Sequence, residues 1–207
     1  MKPQAAIAEA STINIAELTL EEIPAFTWQV LSEGAESAVH PFHTPCIATL
    51  SKYGPVQRTV VLRYVDAPQR LLVCHTDRRA SKAREIVESP RMSWHVYDRK
   101  QKLQIKLSGR AVLHTDDPLA DACWERSAAR ARTCYNTRVG PGQPVREPPL
   151  APVSIGSEAE EIDARSHFAA IACRVDFIDW LYLSGAGHRR ALIEFAGNST
   201  KASWVTP

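Results

Sequence analysis

The chain has 207 residues with a formal net charge of +2, and 44% of its residues are hydrophobic. This length supports one medium-sized domain whose core needs neither disulfides nor a structural metal. The nearly neutral charge excludes a broad basic surface for nucleic acid, while a local cationic pocket stays compatible with it. No apolar stretch is long enough to span a bilayer, and the N-terminus lacks a secretory pattern, so we expect a cytoplasmic protein without nucleic-acid or membrane partners.

The N-terminal part predicts a flexible leader followed by helix. We predict that residues 1–14 form this leader and that residues 15–207 form a single domain. Over residues 15–32, apolar side chains recur at roughly helical intervals, with Pro24 as an interruption. We therefore expect one or two short helices there. The side chains that set this period are Leu18, Ile23, Phe26 and Val30.

From residue 46 onward, short apolar runs bounded by turn residues predict β-strands. A helix over residues 82–88 interrupts them; Ser81 is its expected N-cap, and Ser89-Pro90 ends it. The predicted strands cover residues 46–51, 57–65, 71–76, 92–97, 103–114, 168–175, 177–183 and 191–195.

The region between the fifth and sixth of these strands has a different residue composition. Asp116-Asp117-Pro118 is a helix start, because acids and proline are favoured there, and a helix over residues 119–133 follows. Residues 139–157, rich in Gly, Pro and Ser, predict a long loop. The acidic segment 158–166 predicts a mobile stretch.

This order of elements predicts a mainly β protein, a mostly antiparallel barrel with helices at its edges. A doubly wound parallel sheet would need a helix after nearly every strand, and the chain does not supply them. The sequence contains no glycine-rich phosphate loop, so any phosphate must be bound by side chains. Five cysteines without CxxC spacing, and one tight histidine pair, His40 and His43, broken by a proline, lead us to expect no metal site.

Cationic and hydroxyl side chains mark the ends of several predicted strands. One apolar run carries an Arg at each end, and a second apolar run ends in His-Thr. A Ser-Lys pair begins the helix, and a Gln precedes a Gly in a segment of alternating polar and apolar residues. Donors converging from separate strands predict a dianionic ligand, most simply a phosphate monoester. The residues are Arg58, Arg63, His75, Thr76, Ser81, Lys82, Gln104 and Gly109.

The order and spacing of these motifs resemble the FMN-binding split barrel of the pyridoxamine 5'-phosphate oxidase family. The segments 179–183 and 187–190 look like the family's closing hairpin. The resemblance implies a six-stranded antiparallel split barrel of the FMN-binding type, with its core over residues 45–114 and closing strands over 168–196. It also implies a homodimer with FMN bound at the subunit interface and a small-molecule substrate.

Carried over by position, the resemblance assigns roles to individual residues. Arg58 and Lys82 would hold the FMN phosphate, with hydroxyls from Ser81 and Thr76, and the strand that starts at Arg58 would line phosphate and ring partly through its backbone. The whole implied cofactor set is Arg58, Thr59, Val60, Val61, Leu62, Arg63, His75, Thr76, Ser81, Lys82, Gln104 at the polar edge of the ring, and Gln143 from the long loop.

The implied function is an FMN-dependent oxidoreductase in which a small-molecule substrate passes a hydride to flavin N5. Ala191 stands where the family has a substrate-gripping His, and Ile193 stands where it has a later Arg. These departures leave the substrate undefined. The residues proposed for a substrate anion are Arg63, Arg189 and Arg190.

Three alternatives stay open from the sequence. The chain could bind flavin without turnover, as a carrier or sensor. It could bind haem through histidines, since related split barrels do so, with His75, His167 and His188 as the available ligands. A deazaflavin could also replace FMN in the same site.

Overall fold

A computed structural model describes residues 14–148, 154–197 and 199–207, so the predicted leader lies outside the described residues except for Asn14. The helices are α1 (Glu22–Glu36), α2 (Ser81–Glu88), α3 (Pro118–Arg126), α4 (Ala129–Arg132) and α5 (Glu158–His167). The strands are β1 (Cys46–Ser51), β2 (Gly54–Thr59), β3 (Leu62–Asp66), β4 (Leu71–Asp77), β5 (Arg91–Asp98), β6 (Leu103–His114), β7 (Phe168–Tyr182), β8 (Arg189–Ala196) and β9 (Ser199–Val205).

Within the described residues, all nine strands belong to one sheet, and every pairing in it is antiparallel. The strand order is β2-β1-β5-β6-β7-β4-β3, and β8 pairs with β7 and with β9. The predicted fold class, a mainly β antiparallel barrel with peripheral helices, is confirmed. The nine described strands exceed the six that the resemblance implied, and the C-terminal β9 lies outside the eight strands predicted from the sequence pattern.

The single strand predicted over residues 57–65 is in fact two strands. β2 pairs with β1, whereas β3 pairs with β4 on the far side of the sheet. Between them the amide of Val60 donates to the carbonyl of Pro45 at 2.9 Å, so the chain crosses from one half of the barrel to the other at Val60 and Val61. A continuous apolar run looks the same in sequence whether it forms one strand or two strands with different pairing partners. The sequence pattern therefore could not predict the break between β2 and β3.

Conversely, the two strands predicted over residues 168–175 and 177–183 are one long strand, β7. Its pairing with β6 shifts register between Ser108 and Gly109, where Asp176 is the extra residue of a β-bulge. The first half of β7 pairs with β4 and the second half with β8. A bulge bends a strand without ending it, so β7 joins the two halves of the barrel.

Three predictions about helices were wrong. Pro24 does not interrupt α1, because it lies in the first turn, where its missing N–H is not needed. The helix predicted over 119–133 is split, since the chain becomes extended at Ser127 after α3. The acidic segment predicted as mobile is helix α5, capped by Ser157, whose hydroxyl accepts from the amide of Glu160.

Two apolar clusters stabilise the sheet. The larger fills the barrel, and strands β5 and β6 show the expected alternation of buried and exposed residues. The smaller lies on the opposite face of β4 and β7, beneath α3 and α5, and centres on Trp124 and Phe168. Both faces of the first half of β7 are therefore buried. In the described part of the chain, no helix is both long and apolar enough to cross a membrane.

Candidate functional site

Strands β1, β2 and β4 and the start of α2 bring together most of the polar residues predicted to bind a phosphate. Arg58 lies opposite Ile47 in the β1–β2 pair, so its side chain is directed to the same face as the buried Ile47 and Thr49. Its Nη1 donates to the Thr49 hydroxyl and to the Val56 carbonyl at 2.9 Å, and its Nη2 donates to the Glu85 carboxylate at 2.9 Å. Within the described residues, the Nε–H and one Nη2–H of Arg58 keep no protein acceptor.

A buried carboxylate, Glu85 of α2, lies at the centre of this cluster. Besides Arg58, the hydroxyls of Thr49 and Ser81 donate to it. Burial alone would raise the pKa of Glu85, but these hydrogen bonds and the charge of Arg58 outweigh burial and hold its pKa below the ordinary value. Glu85 is thus an anion at neutral pH, and it orients Arg58.

Lys82 supplies the second cation of the cluster. Its ammonium donates to the Thr76 hydroxyl at 3.0 Å, and burial, followed by the nearby charge of Arg58, lowers its pKa. Among the described residues, no carboxylate lies within ion-pair distance of this half-buried ammonium. The charges of Asp77 and Glu85 only partly offset burial and Arg58 at this ammonium, so the cluster is suited to an external anion. The donors that remain on Lys82 and Arg58 fit a phosphate group.

Ser81 contributes differently from the prediction. The N-cap of α2 is Ala80, which makes no side-chain capping bond, and Ser81 is the first helical residue. Its hydroxyl is engaged by Glu85 one turn later instead of by the amides of the first turn. The predicted cap was therefore wrong, although the residue does lie at the positive end of the helix.

Arg63 and His75 lie at a second, aromatic part of the site. Arg63 is exposed and is the extra residue of a bulge between β3 and β4. The His75 ring packs edge-on against Phe168 at 4.9 Å, and its Nδ1 lies 3.4 Å from the Ser127 hydroxyl. Burial, and next the positive charge of Arg63, lower the pKa of His75 to about 4, so its imidazole is neutral at pH 7.

This low pKa gives a testable pH dependence of stability. Because the pKa of His75 rises from about 4 in the folded chain to its ordinary value of 6.5 on unfolding, the unfolded state binds more protons between these values. The free energy of unfolding of the ligand-free protein should keep its full value above pH 6.5. It should fall by on the order of 2 kcal/mol as the pH drops to 4. Urea unfolding of the wild type and His75→Gln measures this loss, which the variant should lack.

The matched control is His95→Gln, which changes an exposed histidine of β5. It should retain the full loss of stability between pH 6.5 and pH 4. An equal pH dependence in the wild type and His75→Gln would contradict the assignment of a neutral, buried imidazole at this position.

The structure does not bring every predicted cofactor residue to the cluster. Thr59, Val60, Val61 and Leu62 form the crossing beside it, with Leu62 fully buried. Gln104 lies on the opposite face of the sheet, where its Oε1 is 3.2 Å from Nε2 of His95. Gln143 is exposed on the loop after α4. Within one chain, Gln104 is separated from Arg58 by the sheet.

The two arginines proposed for a substrate anion in the closing hairpin already have protein partners. Arg189 donates to the carbonyls of Ala16 and Leu18, the latter at 2.7 Å, and its guanidinium lies 4.5 Å from the ring centre of Trp204. Arg190 donates through Nε and Nη2 to Asp179, at 2.9 Å each. Both serve the packing of β8, so the geometry does not support the substrate role predicted for them.

Two residues of the cluster were missed, although the sequence carries a signal for each. Glu85 follows Ser81 by four residues and Lys82 by three, spacings that place all three on one face of a helix. Thr49 follows the apolar Ile47 by two residues along β1, so both side chains lie on the same inward face. An acidic residue was not expected in an anion site, and the prediction considered only donors.

Comparison with known proteins agrees with this fold. Residues 25–115 match the family model described as pyridoxamine 5'-phosphate oxidase, FMN-binding domain. A pyridoxine/pyridoxamine 5'-phosphate oxidase of Edwardsiella ictaluri (strain 93-146) is 38% identical over 71 residues, which are 32% of this chain. The match spans only 30% of that protein's length.

Two solved structures resemble the chain over nearly its whole length. A pyridoxamine 5'-phosphate oxidase-related, FMN-binding protein from Nostoc punctiforme PCC 73102 superimposes with a TM-score of 0.72, at 22% identity, covering 92% of this chain and 100% of that one. PhzG from Burkholderia lata 383, in complex with tetrahydrophenazine-1-carboxylic acid, has a TM-score of 0.68 at 20% identity, covering 95% and 98%. At these identities, the likenesses show the split-barrel fold.

Proposed function

We propose, from the relationship of residues 25–115 to the FMN-binding domain of the pyridoxamine 5'-phosphate oxidase family, that the protein binds FMN and acts as an oxidoreductase. The observation that carries the proposal is the half-buried ammonium of Lys82, which has no carboxylate partner in the described part of the chain. Together with the free donors of Arg58, it would hold the FMN phosphate. The hydroxyls of Thr76 and Ser81, which donate to the Asp77 carbonyl and to Glu85 in the free chain, would turn to the phosphate when it binds.

When bound, FMN supplies the redox chemistry by accepting a hydride at its ring. The chain's own residues bind and orient. Thr59, Val60, Val61 and Leu62 would offer backbone groups beside the phosphate cluster. Arg63, exposed and with its charge close to His75 and Tyr135, would bind a negative group of the substrate. The substrate class is otherwise undefined.

The homodimer with FMN at the subunit interface is part of the same proposal. Gln104 lies on the opposite face of the sheet from Arg58, so a second chain would be needed for both to meet one cofactor. Apolar side chains of the first strands, Leu50 and Val56, and Tyr97 of β5 are exposed in the single chain. A partner chain covering them would also bring its loop with Gln143 to the site.

The haem alternative has less support from the structure. Both ring nitrogens of His167 lie close to protein groups, Nδ1 at 3.0 Å from the Tyr135 carbonyl and Nε2 at 3.2 Å from Arg79. Nδ1 of His188 accepts from the amide of Ser184 at 3.1 Å. Binding of flavin without turnover uses the same site as the oxidoreductase, and only a reaction separates the two.

The cofactor proposal predicts that protein purified under native conditions carries one FMN per chain. The visible absorption spectrum distinguishes a flavin from a haem Soret band, and mass spectrometry of the released ligand distinguishes FMN from a deazaflavin. Reduction of the bound flavin by a substrate with oxygen uptake would establish the oxidoreductase. A ligand-free protein that also fails to bind added FMN would contradict the proposal.

A further inference from the structure

Two polar side chains meet on the outer face of the sheet, away from the barrel core. His95 of β5 is exposed and lies between two buried residues of its strand, and Gln104 of β6 is half-buried and likewise lies between two buried residues. The register pairs His95 with Lys106, so Gln104 is the diagonal neighbour of His95. Long side chains at diagonal positions can reach one another. Nε2 of His95 accordingly lies 3.2 Å from Oε1 of Gln104.

The chemistry of this contact fixes the direction of the hydrogen bond. An amide oxygen can only accept, so Nε2 of His95 carries a proton and donates it to Gln104. The amide nitrogen of Gln104, with its two N–H donors, must then point away from His95. In the described ranges of the chain, no protein acceptor engages that nitrogen. The contact therefore makes Gln104 a donor of fixed orientation on the outer face of the sheet.

The charged groups nearby do not compete for His95. Its direct cross-strand neighbours are Lys106 on β6 and Cys46 on β1. The Lys106 ammonium lies 3.5 Å from Asp179 on the other side, so these two groups satisfy each other. Among the residues that the structure describes, no carboxylate comes within ion-pair distance of His95. Its imidazole is therefore free to hold the amide of Gln104.

Resting on the FMN-binding function proposed above, in which Gln104 meets a flavin at the subunit interface, we propose that His95 is a positioning residue for Gln104. It holds the amide with its N–H donors directed outward, to the polar edge of the flavin ring. That edge carries more negative charge when the ring is reduced, so a fixed donor there binds the reduced form more tightly than the oxidised one. His95 thereby raises the midpoint potential of the bound flavin through Gln104.

The test compares the midpoint potential of bound FMN in the wild type, His95→Leu and His95→Gln, each saturated with FMN. His95→Leu removes the donor, and an amide that is free to turn presents its oxygen as well as its nitrogen. The ratio of affinities for reduced and oxidised FMN should fall about tenfold, which is about 30 mV for a two-electron couple. His95→Gln keeps an N–H donor at this position and should retain the wild-type potential.

Gln104→Leu supplies the control through a double-mutant cycle. If His95 acts only through Gln104, then adding His95→Leu to Gln104→Leu should leave the potential unchanged. A second readout needs no flavin: nitrogen NMR of the ligand-free protein at alkaline pH should place the imidazole proton of His95 on Nε2. Thermal melting establishes that each variant is folded.

An unchanged potential in folded, FMN-loaded His95→Leu would overturn the proposal. A further fall in potential when both changes are combined would also overturn it, because His95 would then act independently of Gln104. So would a proton on Nδ1, since His95 would then accept from the amide nitrogen instead of freeing it. A wild-type protein that binds no FMN would overturn the proposed function, and the role of His95 with it.

Discussion

Replacement of Lys82 by Met is expected to weaken FMN binding about 10- to 100-fold, the value of one or two charge-assisted hydrogen bonds to a phosphate. The same change should leave the stability of the apoprotein unaltered or raise it. Lys82 is half-buried, and burial and Arg58 lower its pKa more than the charges of Asp77 and Glu85 raise it. Its charge therefore costs free energy until a ligand arrives. Isothermal titration with FMN and urea unfolding of the apoprotein measure the two effects.

Lys100→Met is the matched control, since Lys100 is exposed in the turn between β5 and β6 and should change neither quantity. Adding Arg58→Ala should release FMN altogether. That change also leaves Glu85 buried without its cation, which costs roughly 3–5 kcal/mol, so it is best combined with Glu85→Gln. Unchanged retention of FMN in the Arg58→Ala/Lys82→Met protein would refute the phosphate assignment.

A second large effect is expected from Gly109→Ala. A Cβ at this position would lie 2.1 Å from the carbonyl oxygen of Arg174 and 2.8 Å from its carbonyl carbon. Backbone atoms on a neighbouring strand cannot move aside as a flexible side chain can, so the β6–β7 bulge must be distorted. The expected loss is about 4 kcal/mol of unfolding free energy, at the upper end for single substitutions. For a domain of this size, it corresponds to a fall in melting temperature of roughly 10 °C.

Gly185→Ala provides the comparison, because a Cβ there meets no atom within 4 Å and the backbone does not have a positive φ. Its effect on thermal unfolding should lie within about 0.5 kcal/mol, as for most surface substitutions. If both glycine variants melted at the wild-type temperature, the close approach of the two strands at the bulge would be refuted.

The sequence predicted the fold class because local patterns express it directly. The strand β1 and the long strand β6 have the predicted bounds, since alternating apolar residues and turn signals define them. The meeting of Arg58 and Lys82 was also predictable, because each stands at a recognisable strand or helix end. What escaped prediction depends on partners distant in the chain: the division between β2 and β3, and the continuity of β7 through its bulge.

The candidate site shows the same limit at the level of single residues. Arg189 and Arg190 look like free cations in the sequence, but β8 places them against the carbonyls of residues 16 and 18 and against Asp179. Glu85 looks like an ordinary helix acid, yet α2 packs it beside Thr49 and Arg58. Whether a charged side chain is free for a ligand depends on which oppositely charged or polar groups the fold brings to it.

The sequence by itself determined the alternation of apolar and polar residues, and with it the antiparallel barrel and the positions of the cationic side chains along its strands. Only the tertiary structure decided which of those cations remain available. Arg58 is partly neutralised by Glu85 and Arg190 by Asp179, whereas the ammonium of Lys82 donates to the uncharged Thr76 and, in the described parts of the chain, has no carboxylate within ion-pair distance. The physical reason is that hydrophobic periodicity is local, whereas the electrostatic balance of a buried charge is set by neighbours that are far away in sequence.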